Sequence, residues 1–297
     1  MIKDTFQIKD LENFTGIKIP TIRIWEKRYN ILKPERTDTR IRLYSVKDIA
    51  KLLNVLYLYN NGWKISKIAL LSDKELHTIV NNISAKKDIY PIEVEEFIIT
   101  MLEFDTNKFN TVYTKLRNTF SFEIVYEKYF YPLLLKIGIL WQTDTIDVIH
   151  EHFISSLILQ KIIYEIEADQ TPPTASSKTY ILFLPENEMH EIGLRYLQYR
   201  LMKFRKKTIY LGNHVGLEHL IRFKNRKDVV LIANLTIAPN QKSLQNYLDT
   251  ITDFSKSTNL PVHIYGLQFN MHGVVKKSFR KVCIYKTGKE LLNAILN

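Results

Sequence analysis

Glu188-Met189-His190-Glu191-Ile192-Gly193 holds the side chains of this chain best suited to chemistry, in the pattern Glu-x-His-x-x-Gly. A loop histidine can ligate a metal through one ring nitrogen. A carboxylate two residues earlier can orient the other ring nitrogen, as carboxylates do behind metal-bound histidines. A glycine at position 193 lets the following helix lie close to a bulky group. Alone the pattern is short, and a loop histidine beside a glutamate is also an ordinary solvated pair. A second group is cationic: Arg23, Lys27, Arg28, Arg36, Arg40 and Arg42, interleaved with Thr21, Tyr29 and Tyr44. Guanidinium and ammonium groups neutralise phosphates, and arginine also reads base edges.

The charge distribution agrees with a nucleic-acid partner. The chain has 297 residues and a net charge of +11. Residues 1–72 hold 14 Lys+Arg against 7 Asp+Glu, whereas the remaining 225 hold 28 against 24. The basic excess is therefore concentrated in the first quarter of the chain.

The elements that must position these residues follow from pattern. Ile8 to Phe14 is a periodic helix, turned at Thr15-Gly16. A second helix starts near Ile19-Pro20, where a proline has no N–H bond to lose. Ile22 and Trp25 face inward on it, and Arg23, Lys27 and Arg28 take polar positions. A hairpin-like stretch punctuated by Pro34 carries Arg36, Arg40, Arg42 and Tyr44, with Leu43 expected in the core. This is a winged helix-turn-helix, a head that reads a major groove and clamps the flanking phosphates. Residues 46–59 and 64–71 read as helices broken at Asn61-Gly62, and 74–85 as a connecting helix. Ile92 to Phe104, Thr106 to Arg117, Glu123 to Gly138 and Ile146 to Glu167 form a helical bundle.

Ala168 to Lys178, with two prolines, is the clearest linker. Beyond it, strands at Thr179–Leu184, Thr208–Leu211, Val229–Ala233, Val262–Tyr265 and Lys281–Tyr285 alternate with helices. That alternation predicts an open parallel sheet with helices on both faces, whose ligands bind beyond the carboxyl ends of the strands. The fold class is α/β multidomain, with domains at 1–75, 76–170 and 178–297.

Composition bounds the rest. The chain is 45% hydrophobic, ample for a buried core. It holds no apolar run long enough to span a bilayer, and its polar, charged start is unlike a secretory signal. The single cysteine, Cys283, excludes an intramolecular disulfide and a multi-cysteine metal site, and the natural reading is a reducing cytoplasm. No nucleophile–base pair, Gly-rich phosphate loop or two-carboxylate site stands out, so no enzyme is expected.

Residues 6–48 resemble the DNA-binding domain of the MerR family of transcription regulators. The signature runs Thr21-Ile22-Arg23-Ile24-Trp25-Glu26-Lys27-Arg28-Tyr29, then Leu32-Lys33-Pro34-Glu35-Arg36, then Arg42-Leu43-Tyr44-Ser45. Farther on, Trp141 is followed by nine residues and then Glu151-His152. With the bundle and the Glu188–Gly193 loop, this resembles the cobalamin-binding regulators of that family, the light-responsive repressors of carotenoid genes and their relatives. The resemblance implies His190 as the lower axial ligand of cobalt and Glu188 as its orienter. It places Trp141, Glu151 and His152 over the upper face, where an adenosyl or methyl group sits. The implied cofactor is adenosylcobalamin or methylcobalamin, and the implied partners are a double-stranded DNA operator and further copies of the chain in a dimer or tetramer.

Three departures from that pattern matter. Photoreceptor members have a histidine directly after the tryptophan, where this chain has Gln142. Asn234-Leu235-Thr236 stands where a Ser-x-Leu/Thr motif helps hold the nucleotide tail. Gly266-Leu267 stands where a Gly-Gly pair lets the tail approach the backbone. Two alternatives therefore stay open. One is a MerR-type regulator whose effector half no longer binds cobalamin and acts through oligomerisation or a partner. The other is a cobalamin-dependent methyl-carrier module, which has no use for a winged helix.

Overall fold

The computed structural model describes residues 5–84, 92–169, 171–174, 178–236, 241–271 and 281–296. They divide into two compact units, Met1–Leu157 and Ile158–Asn297.

In the first unit, α1 (Ile8–Thr15) opens on a capping box between Gln7 and Asp10 and ends at Gly16, whose φ of 73° makes the turn. Pro20 lies in the first turn of α2 (Ile19–Tyr29), which buries Ile22 and Trp25 as its periodicity requires. β1 (Glu35–Arg36) and β2 (Arg42–Leu43) pair antiparallel and form the wing. Its tip closes where the Arg40 N–H donates to the Thr37 carbonyl at 2.8 Å. Leu43, expected in the core, is only half-buried. Phe6 and Tyr44 exchange backbone hydrogen bonds, both 2.8 Å, and so tie the wing to the chain before α1. A Ser45–Asp48 capping box starts α3 (Val46–Asn60). Two further helices, α4 (Ile65–Ile68) and α5 (Asp73–Ser84), complete the head. The helix expected at 64–71 is thus a single turn, and residue 85 of the connecting helix lies outside the described residues.

The bundle begins with α6 (Ile92–Leu102) and α7 (Thr106–Arg117). The third expected helix, Glu123 to Gly138, is α8 (Phe122–Val125), a π-helical turn at Tyr126–Phe130, and α9 (Tyr131–Gln142). That wide turn lies in an aromatic core: the Phe130 ring is 5.5 Å from Phe97, 6.1 Å from Phe109 and 6.0 Å from Tyr113. The long α10 (Val148–Ala168) follows. The head and the bundle pack together through α3 and α6. Asn13 of α1 also donates to the Thr145 hydroxyl, between α9 and α10, at 2.7 Å.

The second unit holds β3 (Thr179–Phe183), α11 (Ile192–Lys203), β4 (Lys207–Tyr210), α12 (Leu217–Leu220), β5 (Val229–Asn234), α13 (Gln241–Thr258), β6 (Val262–Tyr265), α14 (Gln268–Met271), β7 (Val282–Tyr285) and α15 (Gly288–Leu296). The sheet order is β4-β3-β5-β6-β7, all parallel. Alternation along the strands splits the core in two. Ile181, Phe183 and Leu231 pack with Leu248, Ile251 and Phe254 of α13 on one face. Tyr180, Leu182 and Ile232 pack with Leu194 and Leu197 of α11 and Leu291 of α15 on the other. Strand order reverses direction between β3 and β5, the point at which such sheets bind ligands.

Candidate functional site

The basic residues of the head converge on a groove of about 570 Å³. Arg23 and Lys27 reach it from α2, Lys33 from the following loop, and Arg36 and Arg42 from the two wing strands. A single carboxylate, Glu26, also lines it. Glu26 accepts from Arg42 Nε at 3.0 and 3.2 Å and from the Tyr44 hydroxyl at 3.1 Å. It thereby locks the wing against α2 and raises the Arg42 guanidinium above its ordinary pKa. A concave surface with one acid and five cations fits a phosphodiester backbone. Thr21, Arg28, Tyr29 and Arg40 lie outside the groove lining. Arg28 stacks over the Tyr29 ring at 5.7 Å, and Arg40 stands exposed at the wing tip with φ 62°.

Tyr44 corrects an expectation. It is 0% exposed and belongs to the core of the head, so it positions Glu26 and touches no ligand. Burial, with Glu26 beside it, pushes its phenol above the usual range. Sequence reasoning also passed over Glu26 and Lys33. The signal for Glu26 was present, as the lone acid inside Arg23-Ile24-Trp25-Glu26-Lys27-Arg28.

In the second unit, the loop after β3 is built around Glu188, which is 2% exposed. Its Oε1 accepts from the backbone N–H groups of Met189 at 3.0 Å and His190 at 2.9 Å, and lies 2.6 Å from His190 Nδ1. Its Oε2 accepts from the Thr236 N–H at 2.7 Å. These bonds offset the penalty of burying a carboxylate and tie the β3 loop to the β5 loop at the switch point. Nδ1 of His190 faces this carboxylate, and Nε2 lies on the opposite edge of the ring. The His190 side chain is 45% exposed. The contact fixes the direction of the ring, as metal ligation requires.

The neighbouring positions differ from expectation. Asn234 is buried and donates to the Thr236 hydroxyl at 3.2 Å, so it braces this loop from within. A Cβ on Gly193 would lie 3.3 Å from Asn234 Nδ2, so this glycine admits the asparagine beneath the helix. A Cβ on Gly266 would lie 1.8 Å from the Leu235 carbonyl oxygen. The protein's own β5 loop therefore takes the close approach at Gly266. In the first unit, Trp141 ends α9 at 44% exposure rather than packing inside the bundle. His152 Nδ1 lies 2.6 Å from Glu151 Oε2, and Ser155 donates to Glu151 Oε1 at 2.7 Å. His150, by contrast, is fully buried with its ring stacked 4.8 Å from Phe104. Glu188, His190, Gly193, Asn234, Thr236 and Gly266 thus meet at one sheet edge, and Trp141, Glu151 and His152 belong to the bundle.

Residues 6–75 match the MerR HTH family regulatory protein model, and residues 93–164 match the B12 binding domain model. The chain pairs a MerR-family DNA-binding head with a B12-binding-type bundle. It is homologous over nearly its whole length to two regulators of Myxococcus xanthus. The HTH-type transcriptional repressor CarH is 25% identical over 285 residues, 93% of each chain. The HTH-type transcriptional repressor CarA is 24% identical over 306 residues, 99% of this chain and 96% of that one. Among solved structures, the monomethylamine corrinoid protein of Methanosarcina barkeri superposes with a TM-score of 0.52 at 13% identity. That likeness covers 67% of this chain and 95% of the other, and it concerns the fold alone. Among the described residues, no helix is long and apolar enough to cross a membrane.

The donor set at the sheet edge fits a corrinoid. An imidazole braced by a buried carboxylate, on the loop after the first strand, suits a cobalt ion held at the carboxyl edge of the sheet.

Proposed function

We propose that the chain is a transcriptional repressor that binds an inverted-repeat operator as a dimer or tetramer and senses cobalamin. Its working parts are the head at 1–75, the bundle at 76–170 and the sheet at 178–297, and it acts in the cytoplasm. Each head is small, so two copies are needed for useful affinity and specificity. Thr21, Arg23, Lys27, Arg28, Tyr29, Arg36, Arg40 and Arg42 meet the DNA, with Glu26 holding the wing in register.

His190 is the residue that would hold the cofactor, with Glu188 orienting it. Trp141, Glu151 and His152 would cover the upper ligand, an adenosyl or methyl group. When bound, adenosylcobalamin supplies a cobalt–carbon bond that light can break. The chain's own residues would fix the imidazole and shield the adenosyl or methyl group. Bound ligand shifts the oligomer and DNA equilibria only by its differential affinity for the two states.

The observation that carries this reading is the 2.6 Å contact from buried Glu188 to His190 Nδ1. Adenosylcobalamin titration of the purified protein tests it. Bound cobalamin should survive desalting, and His190→Ala should shift its visible spectrum toward the form lacking a lower histidine. No retention by the parent protein at roughly millimolar cofactor, or an identical spectrum in the variant, refutes cobalamin sensing.

A second reading is favoured by Gly266. The resemblance implies a Gly-Gly pair here to leave room for a nucleotide tail, whereas the Leu235 carbonyl fills that approach. Under this reading the effector half binds no cobalamin and works through contacts between copies. The same titration separates the two.

A further inference from the structure

A further pocket, of about 270 Å³, lies in the first unit. The DNA-binding head forms one half of its wall, through Thr15 at the end of α1 and Tyr57, Asn60 and Asn61 at the end of α3. The bundle forms the other half, through Glu95 of α6 and Lys136 of α9. Glu95 is only 6% exposed, and its Oε2 has no hydrogen-bond partner among the described residues. Lys136 is half-buried and lines the same pocket, with no hydrogen bond to Glu95 among the described residues.

A buried carboxyl and a half-buried ammonium that line one pocket without a direct bond are costly to maintain. Apolar residues would fill this junction more favourably, and the operator and cobalamin sites have no use for either charge. The pair makes sense as two ends of a receptor with the middle left open. We propose that this pocket binds a small zwitterion of the α-amino-acid class, its ammonium on Glu95 and its carboxylate on Lys136. The size agrees: the pocket falls below the roughly 300–1,000 Å³ typical of drug-sized ligands. The amides of Asn60 and Asn61 line the same pocket and offer polar groups to a side chain.

The occupant bridges head and bundle, so its binding is linked to the geometry of α3 and through it to DNA affinity. This second effect rests on the operator-binding reading; the binding itself does not.

Thermal unfolding of the full-length protein tests the proposal. The probes are L-alanine, L-glutamine and L-lysine, with ethylamine and propionate as single-charge controls. At least one amino acid should raise Tm saturably, and neither control should. Glu95→Gln and Lys136→Met should each weaken that binding about tenfold or more. Asn60→Trp leaves both charges in place and narrows the pocket from an exposed position, so it should also reduce the shift. A gel shift with the operator then reads the coupling separately. The proposal is overturned if no amino acid gives a saturable shift, if the controls shift Tm equally, or if both charge variants respond like the parent. A saturable shift without any change in operator affinity would keep the site and remove the coupling.

Discussion

Glu95→Gln should make this protein more stable at neutral and alkaline pH, although it alters a buried residue. Burial raises the Glu95 carboxyl from 4.5 to about 7, with Lys136 opposing that shift. The folded pKa lies above the unfolded one, so the folded chain binds the extra proton between those values. The stability this provides is fully present below about pH 4.5 and is lost as pH rises through about 7. A shift of about 2.5 units, at 1.36 kcal/mol each, amounts to roughly 3 kcal/mol, most of which disappears between about pH 5 and about pH 8. Glutamine has the same shape and no proton to lose, so its curve lacks this component. Urea unfolding followed by far-UV circular dichroism, on parent and variant without added amino acids, measures it. The variant should gain on the parent by about 2–3 kcal/mol from the acid to the alkaline end of that range. Lys136→Met, which removes the opposing cation, should steepen the parent's loss. Parallel curves for parent and Glu95→Gln would show that Glu95 meets water in solution and would refute the reasoning.

Four further outcomes follow from the two binding regions. Arg23→Ala and Arg42→Ala should each weaken operator binding by about 1–3 kcal/mol in a gel shift. Tyr44→Phe should cost about 1 kcal/mol of stability by denaturation, and leave the salt dependence of DNA binding unchanged. Gly266→Ala must push the Leu235 carbonyl away, which disturbs the Thr236–Glu188 bond; a loss of about 1–3 kcal/mol in urea unfolding should accompany a weaker hold on cobalamin. Because Gln142 replaces the histidine of photoreceptor relatives and His150 is buried, footprints with adenosylcobalamin should match in darkness and under green light; loss of operator protection in light would contradict this.

The strands were legible to within a residue or two, because central parallel strands are buried on both faces and read as short apolar runs such as Val229-Val230-Leu231-Ile232-Ala233. The Gly16 turn and Pro20 helix start were equally plain, since each residue type has few other uses there. The Glu188–His190 geometry was readable because it is local, two residues apart. Tyr44 was not, because a tyrosine next to a basic wing suits both a core and a phosphate contact, and only the fold brings Glu26 to its hydroxyl. The occupant of the Gly266 approach, Leu235, comes from the loop after β5, far away in sequence. Glu95 lies in Glu93-Val94-Glu95-Glu96, where neighbouring acids at the start of a helix give no hint that one turns inward.

The π-helical turn at Tyr126–Phe130 has a consequence for how this family tolerates insertions and deletions. Such a turn amounts to one residue added to an α-helix, and each residue of an α-helix advances the face by about 100°. Removing one residue there would restore a regular helix and preserve its hydrogen bonds. It would also turn everything downstream by about a quarter of a revolution. Trp141, at the far end of α9, would leave the side of the bundle it now occupies, while the aromatic core around Phe130 would lose its register. A lineage in which the turn is lost should therefore carry its tryptophan one position away, or have no further need of it.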